Sequence, residues 1–355
     1  MKKKVAILGS TGSIGENTLK IIKSDKKNFD VVLLSTNKNI NRVLKQAKEF
    51  KVKNIIISDF KSFQKAKLKI KNSKIKIFNK FDIFNKVFKK KNDFIMCSIT
   101  GLDGLQPTLE SIKHTKNILI ANKESIICGW KLIKKELIRY KTKFIPVDSE
   151  HFSIWSLLEN NKTSNIEKIY ITASGGPFLK LPKSKFKKIQ IKKALKHPNW
   201  KMGKKISIDS ATLMNKLFEV IEAKNIFNID YKKIFVLIHP ASYVHAIIKF
   251  KNGLTKILIH DTSMKIPIFN AIYFDNDNKK ISSKEINFKK LNNLDLMKPD
   301  LVKFPALKIL KLLPNEASLF ETILVSTNDE VVNSFLNKKI SFDKILPIII
   351  KIIKS

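Results

Sequence analysis

Arginine is nearly missing from this chain. Arg42 and Arg139 are the only two in 355 residues, although Lys and Arg together number 69 against 30 acids and leave a formal charge of +39. Base readout and bidentate phosphate clamping depend on the guanidinium fork. The lysines also run from end to end and form no single basic segment. Neither a specific nucleic-acid partner nor a membrane partner is expected, despite the charge. Ile, Asn and Phe are abundant beside Lys, so the excess reads as drift toward A/T-rich codons, with some benefit for phosphorylated ligands. Cysteine is limited to Cys97 and Cys128, both in apolar runs, which points to buried thiols and not to a disulfide. No uncharged stretch reaches the ~20 residues that span a bilayer. The start, MKKKVAILG, has the charge of a secretion signal but too short an apolar run. A cytoplasmic location is therefore expected.

Glycine is also sparse, with ten in all, yet Gly9, Gly12 and Gly15 fall together in VAILGSTGSIGENTLK. Val5–Leu8 reads as a buried parallel strand. From Ile14 the pattern turns helical through Thr18, Leu19 and Ile22. Glycines between strand and helix let the backbone approach an anion held at the helix start. The spacing is G-x-x-G-x-x-G, where the usual dinucleotide fingerprint is G-x-G-x-x-G, so an ordinary glycine-rich turn is the alternative. After the next strand, Phe29–Leu34, an NAD site places an acid for the ribose 2′-hydroxyl. Ser35, Thr36, Asn37, Lys38, Asn39 and Arg42 stand there, with no acid among them. Hydroxyls, amides and positive charge suit a 2′-phosphate, which predicts NADPH. Taken alone, Lys38 can equally be one more surface lysine.

Strand-like runs alternate with helical ones at Val5–Leu8, Val31–Leu34, Asn54–Ile57, Phe94–Ser98, Ile118–Ala121 and Phe144–Val147. That alternation predicts an α/β fold with a doubly wound, Rossmann-like parallel sheet over residues 1–147. Lysine-rich segments such as FDIFNKVFKKKND would carry its crossovers. A central α+β catalytic domain is expected over 148–274, with Ile234–Ile238, Ala246–Phe250 and Lys256–Ile259 pairing in a second sheet. A linker over 275–298 and a shortened helical domain over 299–355 complete the expected plan.

Polar clusters crowd the central region. Asp148 and Glu150 follow a strand end, and on an extended segment they would point the same way, as a divalent cation requires. A solvated helix start explains them equally well. In DSATLMNKLFEVIEAKN a helix is expected from about Ala211, capped by Asp209 or Ser210. Leu213, Leu217, Val220 and Ile221 would be buried, with Asn215, Glu219 and Glu222 opposite and Lys216 at the edge. Glu219 is a candidate third metal ligand, and Asn215 and Lys216 are candidate phosphate ligands. A plain amphipathic helix with a Lys–Glu pair is the alternative. Ser174 and its two glycines in TASGGPF offer an anion nest or a simple turn. HPNWKMG, His197–Gly203, reads as a mobile lid around 194–204 or as a surface loop with Trp200 packed on the core.

Taken in order, LGSTGSIG, TGLDGLQPTL, ANKES, PVDSEH, SGGPF, HPNWKMGKKISIDSATLMNK and IHPASYVHA resemble the 1-deoxy-D-xylulose 5-phosphate reductoisomerase family over most of the chain. The resemblance implies conversion of that phosphorylated sugar to 2-C-methyl-D-erythritol 4-phosphate, in the non-mevalonate isoprenoid pathway, with NADPH and Mg²⁺ or Mn²⁺. It implies that Thr11, Gly12, Ser13 and Ile14 hold the pyrophosphate and that Lys38 and Asn39 meet the adenosine end. Asn122, Glu124 and Gly203 would touch the cofactor elsewhere. Asp148, Glu150 and Glu219 would bind the metal. Ser174, His197, Ser210, Asn215 and Lys216 would hold the phosphate and substrate, with Ser149, Glu150 and Glu219 beside the substrate. Lys123, Glu150 and His197 would be catalytic, with Lys123 near the reacting oxygens. A homodimer is also implied.

The chain departs from the family at Asn37, where glycine is usual, and in HDTSMKIPI around Met264, a segment expected near a dimer interface or the site. It also stops at Ser355, short of the family's last helical segment. Two other functions compete with this one. A semialdehyde-type NADPH dehydrogenase would use Cys97 as nucleophile, and a basic nucleic-acid-binding protein would bind with steep salt dependence.

Overall fold

Short runs of Ile, Val, Leu and Phe supply the strands, because β-branched and aromatic side chains pack well on a pleated surface. The computed structural model describes every residue except 71–73, 160, 201, 276, 277, 315 and 317. These residues divide into two units, Met1–Asp148 with Met264–Ile281, and Ser149–Ser263 with Ser282–Ser355.

The first unit holds a seven-stranded sheet of β1 (Lys3–Leu8), β2 (Phe29–Thr36), β3 (Asn54–Ile57), β4 (Lys76–Phe78), β5 (Asn92–Cys97), β6 (Thr115–Ile120) and β7 (Lys143–Pro146). Its order is β4-β3-β2-β1-β5-β6-β7, and all six pairings are parallel. Val5 to Leu8 are buried, as expected of a strand covered on both faces. The chain leaves β1 toward β2 and returns to its other side as β5. The crevice beyond the carboxyl ends of β1 and β5 is thus the topological switch point, where open α/β sheets hold ligands. Sequence reading missed β4, a three-residue edge strand too short to show a period. FDIFNKVFKKKND forms only one turn of helix, Phe84–Val87, before β5 begins at Asn92.

Residues 264–281 depart from the expected plan, which placed them in the catalytic domain and the linker. Their helix, Lys265–Ile272, packs on the Ser13–Ser24 helix of the first unit. The Tyr273 hydroxyl donates to Asp25 at 2.7 Å, and Lys279 pairs with the same carboxylate at 2.8 Å. The chain therefore crosses between units at 148–149, at 263–264 and again at 281–282.

The second unit is built on a four-stranded sheet of β8 (Ile166–Ala173), β9 (Ile234–Ile238), β10 (Val244–Phe250) and β11 (Thr255–Ile259), in the order β11-β10-β8-β9. The expected pairing of β10 with β11 is present and antiparallel. The strand missed by sequence reading, β8, sits between β9 and β10, so those two do not pair. Ile169 and Ile171 point inward while Glu167, Lys168 and Tyr170 break the apolar run, and that mixture hid the strand. The C-terminal part is helical, as expected, with helices Phe320–Leu336 and Ile345–Lys354, and it groups with this unit.

The helix expected from Ala211 is two helices, Lys204–Thr212 and Met214–Phe227, broken at Leu213 with φ 61°. Asp209 and Ser210 lie in the last turns of the first and do not cap the second. The Asp209 carboxylate accepts a hydrogen bond from Asn328 at 2.9 Å and pairs with Lys205 at 3.0 Å. The C-terminal Phe320–Leu336 helix thereby anchors the helix that carries Ser210.

Candidate active site

In the first unit the glycine loop leaves β1 at the switch point. Gly9 has φ +84°, and a Cβ there would come within 2.6 Å of the Ser98 carbonyl oxygen. A Cβ on Gly15 would meet the Gly9 carbonyl oxygen at 2.5 Å, so Gly15 lets the helix seat against the loop. Gly12 differs, because the nearest atom to its Cβ position is 3.5 Å away. It occupies the N-cap of the Ser13–Ser24 helix, where no side chain caps the first turn. A position without close crowding and uncapped N–H groups together fit an anion such as a pyrophosphate. Ser35 Oγ accepts from the Gly9 N–H at 2.9 Å, and Thr11 shares a 2.8 Å hydrogen bond with Thr36. These bonds tie the loop to the end of β2, where the acid is missing. Lys38 is exposed there, and Arg42 pairs with Glu16 at 2.8 Å. The Asn39 side chain caps the Ile40–Phe50 helix, so its oxygen is committed locally.

Across the same unit, Asn122 caps the Lys123–Arg139 helix by accepting the Ser125 N–H at 2.6 Å. Its amide donates to the carbonyls of Ile99 and Gly101, and reaches Glu124 at 3.4 Å. The Asn122 side chain is thus hydrogen-bonded within the protein. Lys123 and Glu124 are buried, and Lys123 Nζ donates to Asp148 at 3.4 Å.

In the second unit, the Ser149–Leu157 helix begins directly after Asp148. Asp148 and Glu150 thus straddle a helix start, and the expected extended segment is absent. Ser149 Oγ donates to Glu150 Oε2 at 2.6 Å. Lys216 Nζ lies 2.6 Å from Glu150 Oε1 and 2.6 Å from Glu219 Oε2. Ligand oxygens of Glu150 and Glu219 lie within 4.8 Å of each other, although the residues are far apart in sequence. Asn215 Nδ2 donates to the other Glu219 oxygen, and Asn215 Oδ1 is buried without a partner. The plain amphipathic helix is excluded, since Lys216, Glu219 and Glu222 are all buried with the apolar stripe. Burial opposes the Lys216 charge, but Glu150 and Glu219 outweigh it and raise the pKa above the ordinary lysine value. Two carboxylates share one ammonium here. Oxygen donors with surplus negative charge suit a hard divalent cation.

Ser174 and His197 form a second cluster in this unit. His197 Nδ1 accepts the backbone N–H groups of Asn199 at 3.1 Å and Trp200 at 2.9 Å. The remaining nitrogen, Nε2, must then carry the proton, and it donates to Ser174 Oγ at 3.0 Å. Ser174 Oγ also accepts the Gly176 N–H at 3.1 Å. With its lone pairs taken, the serine hydroxyl is left to donate outward, as an anion requires. Gly175 and Gly176 have φ +81° and +68°, and a Cβ on Gly176 would lie 2.9 Å from the Ser210 carbonyl oxygen. This close approach brings Ser174 beside the helix that bears Ser210. The expected lid is anchored as well. Asn199 Nδ2 donates to the Pro240 carbonyl at 2.7 Å and to Ser242 at 2.8 Å, and Trp200 packs edge-on to His245. Lys201 lies outside the described residues. Gly203 starts the Lys204–Thr212 helix, with open space around its Cβ position.

Burial first, and then the Lys216 charge, hold His197 neutral and lower its pKa from 6.5 to about 4. A lowered folded value means that the unfolded chain takes up the proton first. The stability from this residue is therefore present above pH 6.5 and is lost as pH falls from 6.5 to about 4. An NMR titration should show His197 keeping its Nε2–H tautomer through neutral pH. A midpoint near the ordinary histidine value would overturn the assignment. His197, expected to be catalytic, engages both ring nitrogens within the protein, with Ser174 and with the Asn199 and Trp200 N–H groups.

Cys97 is buried in β5, and burial pushes its thiol up to about 12. Such a thiol is a poor nucleophile, which removes the chemical basis of the semialdehyde reading. Sequence reading also passed over His260. It stacks on His245 with ring centroids 3.7 Å apart, and no motif marked it. No helix among the described residues is long and apolar enough to cross a membrane.

Comparison with known proteins places this geometry. Residues 5–129 match the 1-deoxy-D-xylulose 5-phosphate reductoisomerase family model, and residues 144–227 match the model of that enzyme's C-terminal domain. Residues 260–355 match a further DXP reductoisomerase C-terminal domain. The 1-deoxy-D-xylulose 5-phosphate reductoisomerase of Pelagibacter ubique is 62% identical over 352 residues, covering 99% of this chain and 90% of that one. The Clostridium tetani enzyme is 39% identical, covering 98% and 91%. Among solved structures, the Zymomonas mobilis enzyme in complex with NADPH aligns with TM-score 0.90 at 30% identity, covering 100% and 92%. A DOX-P reductoisomerase solved with NADPH, fosmidomycin and magnesium aligns with TM-score 0.91 at 31% identity, covering 99% and 89%. With the glycine loop, the paired glutamates and the Ser174–His197 cluster all in place, the chain belongs to the 1-deoxy-D-xylulose 5-phosphate reductoisomerase family.

Proposed function

We propose that this protein converts 1-deoxy-D-xylulose 5-phosphate to 2-C-methyl-D-erythritol 4-phosphate, using NADPH and Mg²⁺ or Mn²⁺. The observation that carries this reading is the half-buried Glu150 and the buried Glu219 around Lys216, in the same unit as a serine forced to donate to an anion. Glu150 and Glu219 would hold the ion together with Asp148, which precedes Glu150 by two residues. When bound, the ion would polarise the substrate ketone and stabilise negative charge on its oxygen while the carbon skeleton rearranges, and NADPH would supply the hydride.

The protein's own groups bind and orient. Ser174 and Ser210 donate to the substrate phosphate, and His197 keeps Ser174 in its donating state. Lys216 is the cation of this cluster. It neutralises both carboxylates here, and with a cation bound to them it would be left to meet the substrate phosphate. Asn215 Oδ1 is the buried acceptor for a substrate hydroxyl. Lys123, held by Asp148, contributes positive charge to the developing oxyanion. Thr11, Gly12, Ser13 and Ile14 receive the pyrophosphate, and Lys38 and Asn39 the adenosine end. Asn122 and Glu124 support this cofactor site from the neighbouring strand end. The protein acts as a cytoplasmic homodimer with no specific nucleic-acid partner.

An NADPH-oxidation assay with the phosphosugar, with and without EDTA, tests the function. Absence of turnover, or turnover that EDTA leaves untouched, would refute it. Lys38→Ala should lower kcat/KM for NADPH about tenfold, the scale of one charge-assisted hydrogen bond, and leave NADH use nearly unchanged. An equal loss with both cofactors would mean that Lys38 does not read the 2′-phosphate. Substrate binding should also change the fluorescence of Trp200, with most of the change lost in Trp200→Phe. A variant that keeps the parent's signal would show that the loop is static.

A further inference from the structure

Gln46 is a polar residue at a core position. In the Ile40–Phe50 helix it shares the buried face with Val43 and Ala47, and it is only 6% exposed. Burying an amide there is unfavourable unless both of its ends are hydrogen-bonded. Both ends are committed to one residue of the glycine loop. Gln46 Nε2 donates to the Ser10 carbonyl at 2.9 Å, and Gln46 Oε1 accepts the Ser10 hydroxyl at 2.8 Å. Ser10 is itself fully buried, and its N–H donates to the Ser35 carbonyl at 2.8 Å. The Ser13–Ser24 helix closes in as well, since a Cβ on Gly15 would lie 2.5 Å from Ser10 Cα.

The bond to the Ser10 carbonyl has a directional consequence. The Ser10–Thr11 peptide is trans, so its C=O and its N–H point to opposite edges of one plane. With the Ser10 oxygen turned to Gln46, the Thr11 N–H faces away from Gln46. It donates to no group among the described residues, while the Thr11 hydroxyl is tied to Thr36. We propose that Gln46 is a positioning residue for the cofactor: through Ser10 it aims the Thr11 N–H in advance at the pyrophosphate. The inference rests on the reading of Thr11 to Ile14 as the pyrophosphate site. A donor already in place needs less ordering when the ligand binds, so the effect falls on cofactor affinity. The nicotinamide lies beyond the pyrophosphate, and the chemical step at saturating NADPH is untouched.

Calorimetry on the full chain with NADPH and with 2′-AMP tests this, because 2′-AMP carries the adenosine and the 2′-phosphate but no pyrophosphate. Gln46→Met keeps side-chain length and helix preference and removes both bonds. It should weaken NADPH about tenfold or more, the scale of a lost charge-assisted hydrogen bond, and leave 2′-AMP binding nearly unchanged. Steady-state kinetics should show a matching rise in KM for NADPH with kcat retained. Gln46→Glu keeps an acceptor for the Ser10 hydroxyl but, when ionised, has no donor for the Ser10 carbonyl, and it should lose NADPH affinity on the same scale. Parent-like NADPH affinity in either variant overturns the inference alone. An equal loss for 2′-AMP also overturns it, since the helix and not one peptide would then have moved. Failure of the parent to bind NADPH would refute the cofactor site itself, and the inference with it.

Discussion

Glu219→Gln is expected to lower kcat/KM by about a hundredfold or more, the scale of losing a principal electrostatic group in a water-excluded site. The substitution keeps shape and removes charge. Glu219 is 1% exposed, one of its oxygens meets Lys216 and the other meets Asn215. A glutamine keeps one acceptor oxygen, enough for one of these two donors, and cannot hold a divalent cation with the same strength. NADPH binding should be unchanged, because the glycine loop belongs to the other unit. Full activity at limiting Mg²⁺ would show that Glu219 is not a ligand.

Lys216→Met should also cost about a hundredfold in activity, and it carries a second signature in stability. The Lys216 side chain is 8% exposed and lies between Glu150 at 12% and Glu219 at 2%. Removing the shared cation leaves the buried Glu219 and the half-buried Glu150 without it, a change worth roughly 3–5 kcal/mol in the metal-free protein. The melting transition of the second unit should fall accordingly when measured in EDTA. Mg²⁺ should then raise it more in the variant than in the parent, because in the parent the ion must first displace Lys216. Equal Mg²⁺ responses would mean that the ammonium and the metal do not compete for these carboxylates. That comparison separates the metal site from the phosphate role of Lys216, which an activity assay alone does not.

Local chemistry decided much of this protein in advance. Gly9, Gly12 and Gly15 between an apolar run and a helical one specify a strand–loop–helix unit, because only glycine tolerates φ +84° at Gly9 and the close seat at Gly15. The missing acid after β2 needed no coordinates. The motifs from LGSTGSIG to IHPASYVHA pointed to the family before any distance was known.

Burial was different, since it is a relation between residues far apart in the chain. The period of Met214–Phe227 shows a polar face but cannot say whether that face meets water or a second carboxylate. The packing of Glu150 against Lys216 turned it inward. The same limit hid the break at Leu213, where a residue with no helix-breaking tendency adopts φ 61°. It hid the return of 264–281 to the first unit and the strand β8, whose polar residues are tolerable only because its neighbours cover it. His197 shows the limit most plainly. A lone histidine in sequence has no tautomer, and the two N–H groups that Asn199 and Trp200 direct at its Nδ1 fix one by folding the loop around it.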